Sequence, residues 1–477
     1  MWWYFLKYMK NLILIVCLNL IAICSLSQTP VRPDIFGFST NTAFTFHNVY
    51  DSIFMDQVVQ LSPNLLRFPG GFGNFYHPNG VGYGINIAEV NKYHKGVLSK
   101  RVIGIQNYER KKKINKNYID DFIYLAKHLN AKVIVDANIL TASTDETIKT
   151  INKLVENNIE IVGIELGSEL SNRSYMHLID GDKYIQLAKD LAIELKSVFP
   201  NILLGVVAAP VTRNQERHRY WNELLAKEDF YDAIIIHSYA KVTKGKDKYG
   251  KMVSEIPEGK SQKEAFFLYR ERIINYFNNT YPEEIGVNNS IFSDKAIWIT
   301  EWNLQMSKIT GNTLFQAIYV ANYLLELSVS KSFSKIELAT FHNLAGRDVS
   351  GSVLMNKSGI TEIHTTFYPF QMLSEMFNQK ALTIDKTKIN AFCYVYTCKE
   401  NNNEKYKYII NWSSEVQKIS FKEVLSQTTL KEYFGKELYF NNEEKGDINY
   451  TIIDVNNMSE LAIKPYSVTL VTVKNEK

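Results

Sequence analysis

Short apolar runs alternate with longer segments whose apolar positions recur every three or four residues, from about residue 35 to residue 377. The short runs read as strands buried on both faces, the longer segments as amphipathic helices. The strands in order are Ile35 to Thr40, Leu65 to Phe68, Lys132 to Asp136, the run from Ile159 that stops before Glu169, Leu203 to Ala208, Ala233 to His237, Ala296 to Thr300 and Ile336 to Phe341. Helical spacing follows each of them, at Asp51 to Leu61, Tyr118 to Leu129, Glu146 to Asn157, Asp182 to Val198, Arg217 to Ala226, Glu264 to Phe277, Thr313 to Ser328 and Thr366 to Phe377. Eight strand–helix units in succession predict an α/β fold of the (β/α)8 TIM barrel type. An open doubly wound sheet fits less well, because no glycine-rich dinucleotide fingerprint follows an early strand.

Past Lys380 the texture changes. Phe392 to Tyr396, Tyr406 to Trp412, Tyr450 to Val455 and Val468 to Val473 are β-rich or alternating, with polar turns such as Asn401-Asn402-Asn403 between them. This predicts a C-terminal antiparallel β-sandwich at 380–477 in a supporting role, behind a catalytic barrel at 28–379. Residues 1–27 read as a secretory signal peptide: Lys7 and Lys10, a short apolar run from Leu12 to Cys24, then Ser25-Leu26-Ser27 as a small-x-small cleavage site. The expected location is therefore secreted, periplasmic or cell-surface, with no stable membrane insertion after cleavage. Cys24 invites a lipid-attachment reading, but Ile23 is large where such a motif has a small residue.

Composition narrows the class modestly. Hydrophobic content of 45%, charged content of 22% and a net charge of +4 over 477 residues are ordinary for a globular chain and give no case for nucleic acid. After cleavage only Cys393 and Cys398 remain, five positions apart in one strand-like run, so their side chains face opposite ways and a disulfide is not expected. No zinc, iron–sulfur, HExxH or Walker A pattern is present, and no metal or cofactor is expected.

Two of the buried strands each deliver a glutamate at the carboxyl end, in Ile164-Glu165-Leu166-Gly167-Ser168-Glu169 and in Trp298-Ile299-Thr300-Glu301-Trp302-Asn303. Barrel active sites form at that face. Breaking a glycosidic bond requires one carboxylic acid to protonate the leaving oxygen and one carboxylate across the sugar ring. Glu169 and Glu301 are the candidate catalytic pair; the bland alternative makes either one a solvated loop residue.

These segments, together with Leu66-Arg67-Phe68-Pro69-Gly70-Gly71, resemble glycoside hydrolase clan A. The pattern is nearest to families 51, 39 and 79, of arabinofuranosidase, xylosidase and heparanase/glucuronidase type, and it extends over about residues 31–475 to the tail Ile463-Lys464-Pro465-Tyr466-Ser467. The resemblance implies a retaining double displacement, with Glu169 as acid/base and Glu301 as nucleophile. One position departs from it: Ser168 stands where the clan has an asparagine contacting the sugar 2-hydroxyl.

The remaining candidates come from strand ends. His237 and Tyr239 match positions near the nucleophile, and a tyrosine hydroxyl on Glu301 would keep it ionised. Asn138 and Arg67 either hold sugar hydroxyls or orient a glutamate, and a buried ion pair is an equal reading for Arg67. His342 and Asn343 end the eighth strand and face the expected substrate, with Phe341 where the clan often has a stacking tryptophan. Trp302 either packs in the core or walls a subsite.

Two long loops, Phe72 to Asn117 and Lys241 to Lys263, are basic: Arg101, Arg110, Lys111, Lys112 and Lys113 in the first, Lys241, Lys244, Lys246, Lys248 and Lys251 in the second. A charge run is usually a solvated surface, but both loops would rim one mouth and concentrate an anionic ligand. The expected partner is thus a polysaccharide or oligosaccharide, uronate-containing or sulfated if the loops act together. The competing class is a non-catalytic glycan-binding protein on the same scaffold. A metal-dependent barrel hydrolase is disfavoured, since no His-x-His or His/Asp cluster follows a strand.

Overall fold

The computed structural model describes residues 29–213, 215–243, 256, 259–305, 307–442 and 447–473. The expected signal peptide lies outside the described residues, as do Lys244, Lys246, Lys248 and Lys251. Eight parallel strands close a barrel in chain order: β1 (Gly37–Ser39), β2 (Leu65–Phe68), β3 (Lys132–Ala137), β4 (Ile161–Leu166), β5 (Leu204–Val207), β6 (Ala233–Ala240), β7 (Ala296–Leu304) and β8 (Ile336–Phe341). β1 pairs with β8 as well as with β2, so no edge remains open.

One large side chain organises the barrel floor. Trp298 of β7 packs there with Leu65, Ile134, Ala233, Ile235 and Leu338. The strands facing it carry Gly163 and Gly205, where a Cβ would come within 2.2 and 2.7 Å of the indole. A single bulky residue and two missing side chains thus fill one layer of the interior.

β6 and β7 run further than their apolar stretches, to Ala240 and Leu304. Glu301 therefore lies inside a strand rather than after it. The two strands stay paired past the apolar part, with His237 opposite Glu301 and Tyr239 opposite Asn303, after a register shift between Ile236 and His237. That pairing, which polar residues extend, carries the nucleophile candidate and its neighbours on rigid backbone.

Elsewhere the chain is more regular than the expected loops. The segment after β2 contains helices Ile87–Tyr93 and Leu98–Lys111, which bury only Val90, and Val102 and Ile105 with Glu109, respectively. So few apolar anchors leave a weak periodic signal. Three short strands, β9 (Ala345–Gly346), β10 (Leu354–Lys357) and β11 (Ile360–Ile363), form a small sheet after β8. Among the described residues no helix is long and apolar enough to cross a membrane.

The C-terminal part is a seven-stranded sheet. Its strands are β12 (Leu382–Asn390), β13 (Cys393–Glu400), β14 (Asn403–Asn411), β15 (Gln417–Gly435), β16 (Ile448–Ile463) and β17 (Ser467–Val473), with Thr29–Pro30 added antiparallel to β12. The long β15–β16 hairpin folds over, so that Ile419, Leu461 and Ile463 share a core with Cys393, Val395 and Ile409. Its other face packs on the barrel, and Cys398 belongs to that second core. The two thiols thus sit in opposite cores, unpaired.

Helix Leu314–Val329 is sandwiched between the barrel and this sheet and is buried over almost its whole circumference. Its polar residues are answered from the sheet. Trp412 Nε1 donates to Asn322 Oδ1 at 2.8 Å, Asn322 Nδ2 donates to the Tyr396 hydroxyl at 2.9 Å, and Tyr396 donates to Glu326 at 2.6 Å. Lys386 completes an ion pair with Glu326. Satisfied polar groups of this kind fix how the sheet docks, where apolar contact alone would permit sliding.

Candidate active site

Glu301 is nearly buried and its two oxygens are surrounded. Arg67 Nη1 donates to Oε1 at 2.9 Å, and the Tyr239 hydroxyl donates to Oε2 at 2.6 Å. His342 Nδ1 and His237 Nδ1 lie 3.4 and 3.5 Å from Oε2. Burial alone would raise the carboxyl's pKa; His237, His342 and Arg67 outweigh it and hold Glu301 well below the usual carboxylate range. Tyr239 is pushed well above an ordinary phenol by burial first and then by Glu301, so it stays a donor.

Glu169 is built differently. Gly167 has φ +85° and Glu169 has φ +53°, so the chain turns sharply as it leaves β4 and aims the carboxylate back over the mouth. A left-handed non-glycine residue costs roughly 1–2 kcal/mol. Its side chain remains 46% exposed. Asn172 Nδ2 donates to one oxygen at 2.7 Å, and His237 Nδ1 lies 3.1 Å from the other.

A buried polar ring joins the two glutamates from below. Arg67, with no exposed surface, binds Glu165 through Nε at 2.5 Å and Nη2 at 2.9 Å, and Asp136 at 3.1 Å. Thr300 donates its single proton to Glu165 at 2.9 Å, so its oxygen is left to accept from His237 Nε2 at 3.2 Å. With Nε2 donating to Thr300 and Nδ1 facing carboxylate oxygens, the imidazole carries both protons. Burial opposes that charge, but Glu301 and Glu169 together raise the pKa of His237. Asp136 is driven well above its usual range by burial, against the pull of Arg67. Removing one partner from such a cluster is far costlier than the cluster's net worth to folding.

Asp136, Glu165 and Thr300 were not among the residues expected to matter. The signal for them exists in the sequence: a charged residue within Val133-Ile134-Val135-Asp136 and another within Val162-Gly163-Ile164-Glu165 cannot stay unpaired in a buried strand.

Several expected sugar contacts have other work. Arg67 has its guanidinium engaged by three acidic side chains and the Ser168 hydroxyl and is sealed from the mouth. It positions rather than binds. Ser168 accepts from Arg67 at 3.2 Å, and its backbone is clamped by Asn74. Asn138 spends its amide on Tyr76 O and Thr141, and its oxygen on the backbone of residues 140 and 141. Trp302 is fully buried and stacks on Tyr323 with centroids 4.3 Å apart, so it is core and not a subsite wall. Among the binding candidates, His237, Tyr239 and His342 are the ones gathered at the carboxylate pair, and Asn41 Nδ2 steadies His342 at 3.3 Å.

Of the cations expected to rim the mouth, those of the first loop and Lys241 of the second fall within the described residues. Arg101 opens helix Leu98–Lys111 while Arg110 and Lys111 lie in its last turn. Ten residues of helix put these charges about 15 Å apart.

Ligating atoms of Glu169, His237 and Glu301 all lie within 4.8 Å of one another. An approach this close brings one oxygen of each carboxylate within reach of a single small group at the mouth. It would also suit a divalent cation. Such an ion would have to compete with the Arg67 guanidinium and a doubly protonated His237 for Glu301.

No family model and no curated protein sequence matches the chain. Solved structures do share its fold. It is similar to a family 51 arabinofuranosidase from Xanthomonas axonopodis pv. citri, at TM-score 0.65 and 12% identity, over 94% of this chain and 98% of that one. A thermostable family 51 α-L-arabinofuranosidase from Thermotoga petrophila RKU-1 gives 0.64 and 16% over the same shares. A 4-O-α-L-rhamnosyl-β-D-glucuronidase from Fusarium oxysporum 12S gives 0.59 and 11%, again over 94% and 98%. All three are glycoside hydrolases. The chain therefore shares the fold of these enzymes, a closed TIM barrel with a C-terminal antiparallel sheet.

Proposed function

We propose that the chain is a retaining glycoside hydrolase in which Glu301 attacks the anomeric carbon while Glu169 protonates the leaving oxygen. Glu169 then takes a proton from water as the glycosyl-enzyme is hydrolysed. The observation that carries this reading is the unlike pair itself: a buried carboxylate locked in its ionised form, within 4.8 Å of an exposed one on the same barrel mouth. Arg67 and Tyr239 hold the nucleophile in line and His237 links the two acids. The substrate class is a polysaccharide or oligosaccharide, and an acidic glycan is favoured by Lys241 and Arg213 in the cleft beside the pair. Residues 1–27 would carry the chain out of the cytoplasm, which N-terminal sequencing of exported protein tests.

Release of reducing sugar from a panel of aryl glycosides and plant, algal and host polysaccharides is the deciding experiment, run with and without a chelator. Product that survives the chelator supports the two-carboxylate route; product abolished by it favours a metal-held site. The second reading, a glycan-binding protein without turnover, draws on Ser168, whose hydroxyl is turned to Arg67 where the clan presents an asparagine to the sugar. Binding with no product from any member of the panel would select it.

A further inference from the structure

A cleft opens beside the catalytic pair. It starts at Glu169 and His237, passes over the residues that follow β5, and reaches helix Tyr281–Ile291. Its far end is charged: Arg213 comes from the loop after β5, Lys241 directly follows β6, and Glu284 projects from the helix. Among the described residues neither cation is held in a salt bridge. Each feels the other, since partial burial and then Arg213 lower the Lys241 ammonium, with Glu284 acting in the opposite sense.

Asn288, one turn beyond Glu284, lines the same cleft. It is only 2% exposed, yet among the described residues its Oδ1 accepts from nothing, while its Nδ2 donates to the Glu284 carbonyl at 3.0 Å. A buried acceptor without a donor is rare and points to a missing partner. Two available cations and one vacant acceptor, next to groups that act on a sugar, make a particular chemical demand: an anionic group and a hydroxyl on one small ring.

We propose that this cleft is a subsite for a sugar residue bearing a carboxylate or a sulfate ester, its anion held by Lys241 and Arg213 and a hydroxyl by Asn288, with Glu284 setting the pH range of binding. The inference rests on the glycoside hydrolase reading and specifies its substrate. Burial raises the Glu284 carboxyl to about 7 against the pull of Lys241. Below that pH the acid is neutral and leaves both cations to the ligand; above it, the carboxylate competes for Lys241 and repels an anion. Tyr276, Tyr281 and Tyr323 also face Glu284, and all three are held above an ordinary phenol by burial first, so they stay neutral across this range. His237, at the other end of the cleft, also loses charge as pH rises, and a variant of Glu284 separates the two effects.

Calorimetric titration of the whole chain with glucuronate, glucose 6-sulfate and glucose at pH 5.5 and 8.5 tests the subsite without needing turnover. At pH 5.5 an anionic sugar should bind at least about fivefold tighter than glucose. Lys241→Met and Arg213→Met should each cut that preference about fivefold while leaving the affinity for glucose unchanged, and Glu284→Gln should restore much of the affinity lost at pH 8.5. Whichever anion binds tighter, carboxylate or sulfate, names the source. Equal or undetectable binding of anionic and neutral sugars overturns the subsite, as does a preference intact in both cation variants. Because the readout is binding, loss of the preference leaves the hydrolase reading standing, and absence of hydrolysis leaves the preference measurable.

Discussion

The ends of β4 and β7 deliver the same functional group to the same mouth by opposite means. At β7 the strand continues through Glu301, so rigid backbone carries the carboxylate, and Arg67, Tyr239, His237 and His342 surround it in a nearly buried setting. At β4 the strand stops at Leu166, and a left-handed turn throws Glu169 forward with nearly half its side chain in solvent. A nucleophile must stay ionised and fixed; an acid/base must exchange a proton with leaving group and water. The lesson is that local backbone, and not residue type, sets apart the two roles proposed for these glutamates.

The division is broken most completely at Glu301. Glu301→Gln should lower kcat by about 10⁴-fold or more on every glycoside, since an amide in that place cannot form the glycosyl bond. A circular dichroism melt should show it still folded. Near-normal turnover in that variant would remove Glu301 from the nucleophile role.

Glu169→Gln should divide substrates instead of silencing all of them. Where the leaving alcohol is poor, the loss should reach about 10²–10⁴-fold; with a dinitrophenyl leaving group, which departs without a proton, formation of the glycosyl-enzyme should be far less affected. Equal losses on both substrates would deny Glu169 the acid role. Tyr239→Phe touches only the Glu301 side and should cost about ten- to a hundredfold in kcat/KM, the worth of one hydrogen bond to a charged group.

The barrel, the pair and the sheet were legible because apolar periodicity and strand-end position survive in a single sequence. Trp302 and Asn138 were left open between two readings for one reason: strand-end position says that a residue is near the mouth, and not which way its side chain points. Within β7, Glu301 and Trp302 are adjacent and face opposite sides, one to the mouth and the other to the helices. The polar ring under the site was hidden because Arg67, Asp136, Glu165 and Thr300 come from four strands whose register no single segment encodes.

The ring supplies the subtlest test, because it ties the two glutamates through one protonated imidazole. His237 has a folded value raised above 6.5, so the folded chain holds that proton more tightly than the unfolded one does. The stabilisation is complete below about pH 6.5, the ordinary histidine value, and is lost as pH rises through the higher folded value. His237→Gln keeps a polar side chain but cannot carry the charge. Melting temperatures of the native chain and this variant, measured from pH 5.5 to 9, should therefore differ most at acid pH and converge as the medium becomes alkaline. Glu301 stays ionised across that window in the native chain, so its own titration does not shape the native curve there. A gap independent of pH would mean that His237 is neutral in the fold, and would cut the charge link between the exposed carboxylate and the buried one.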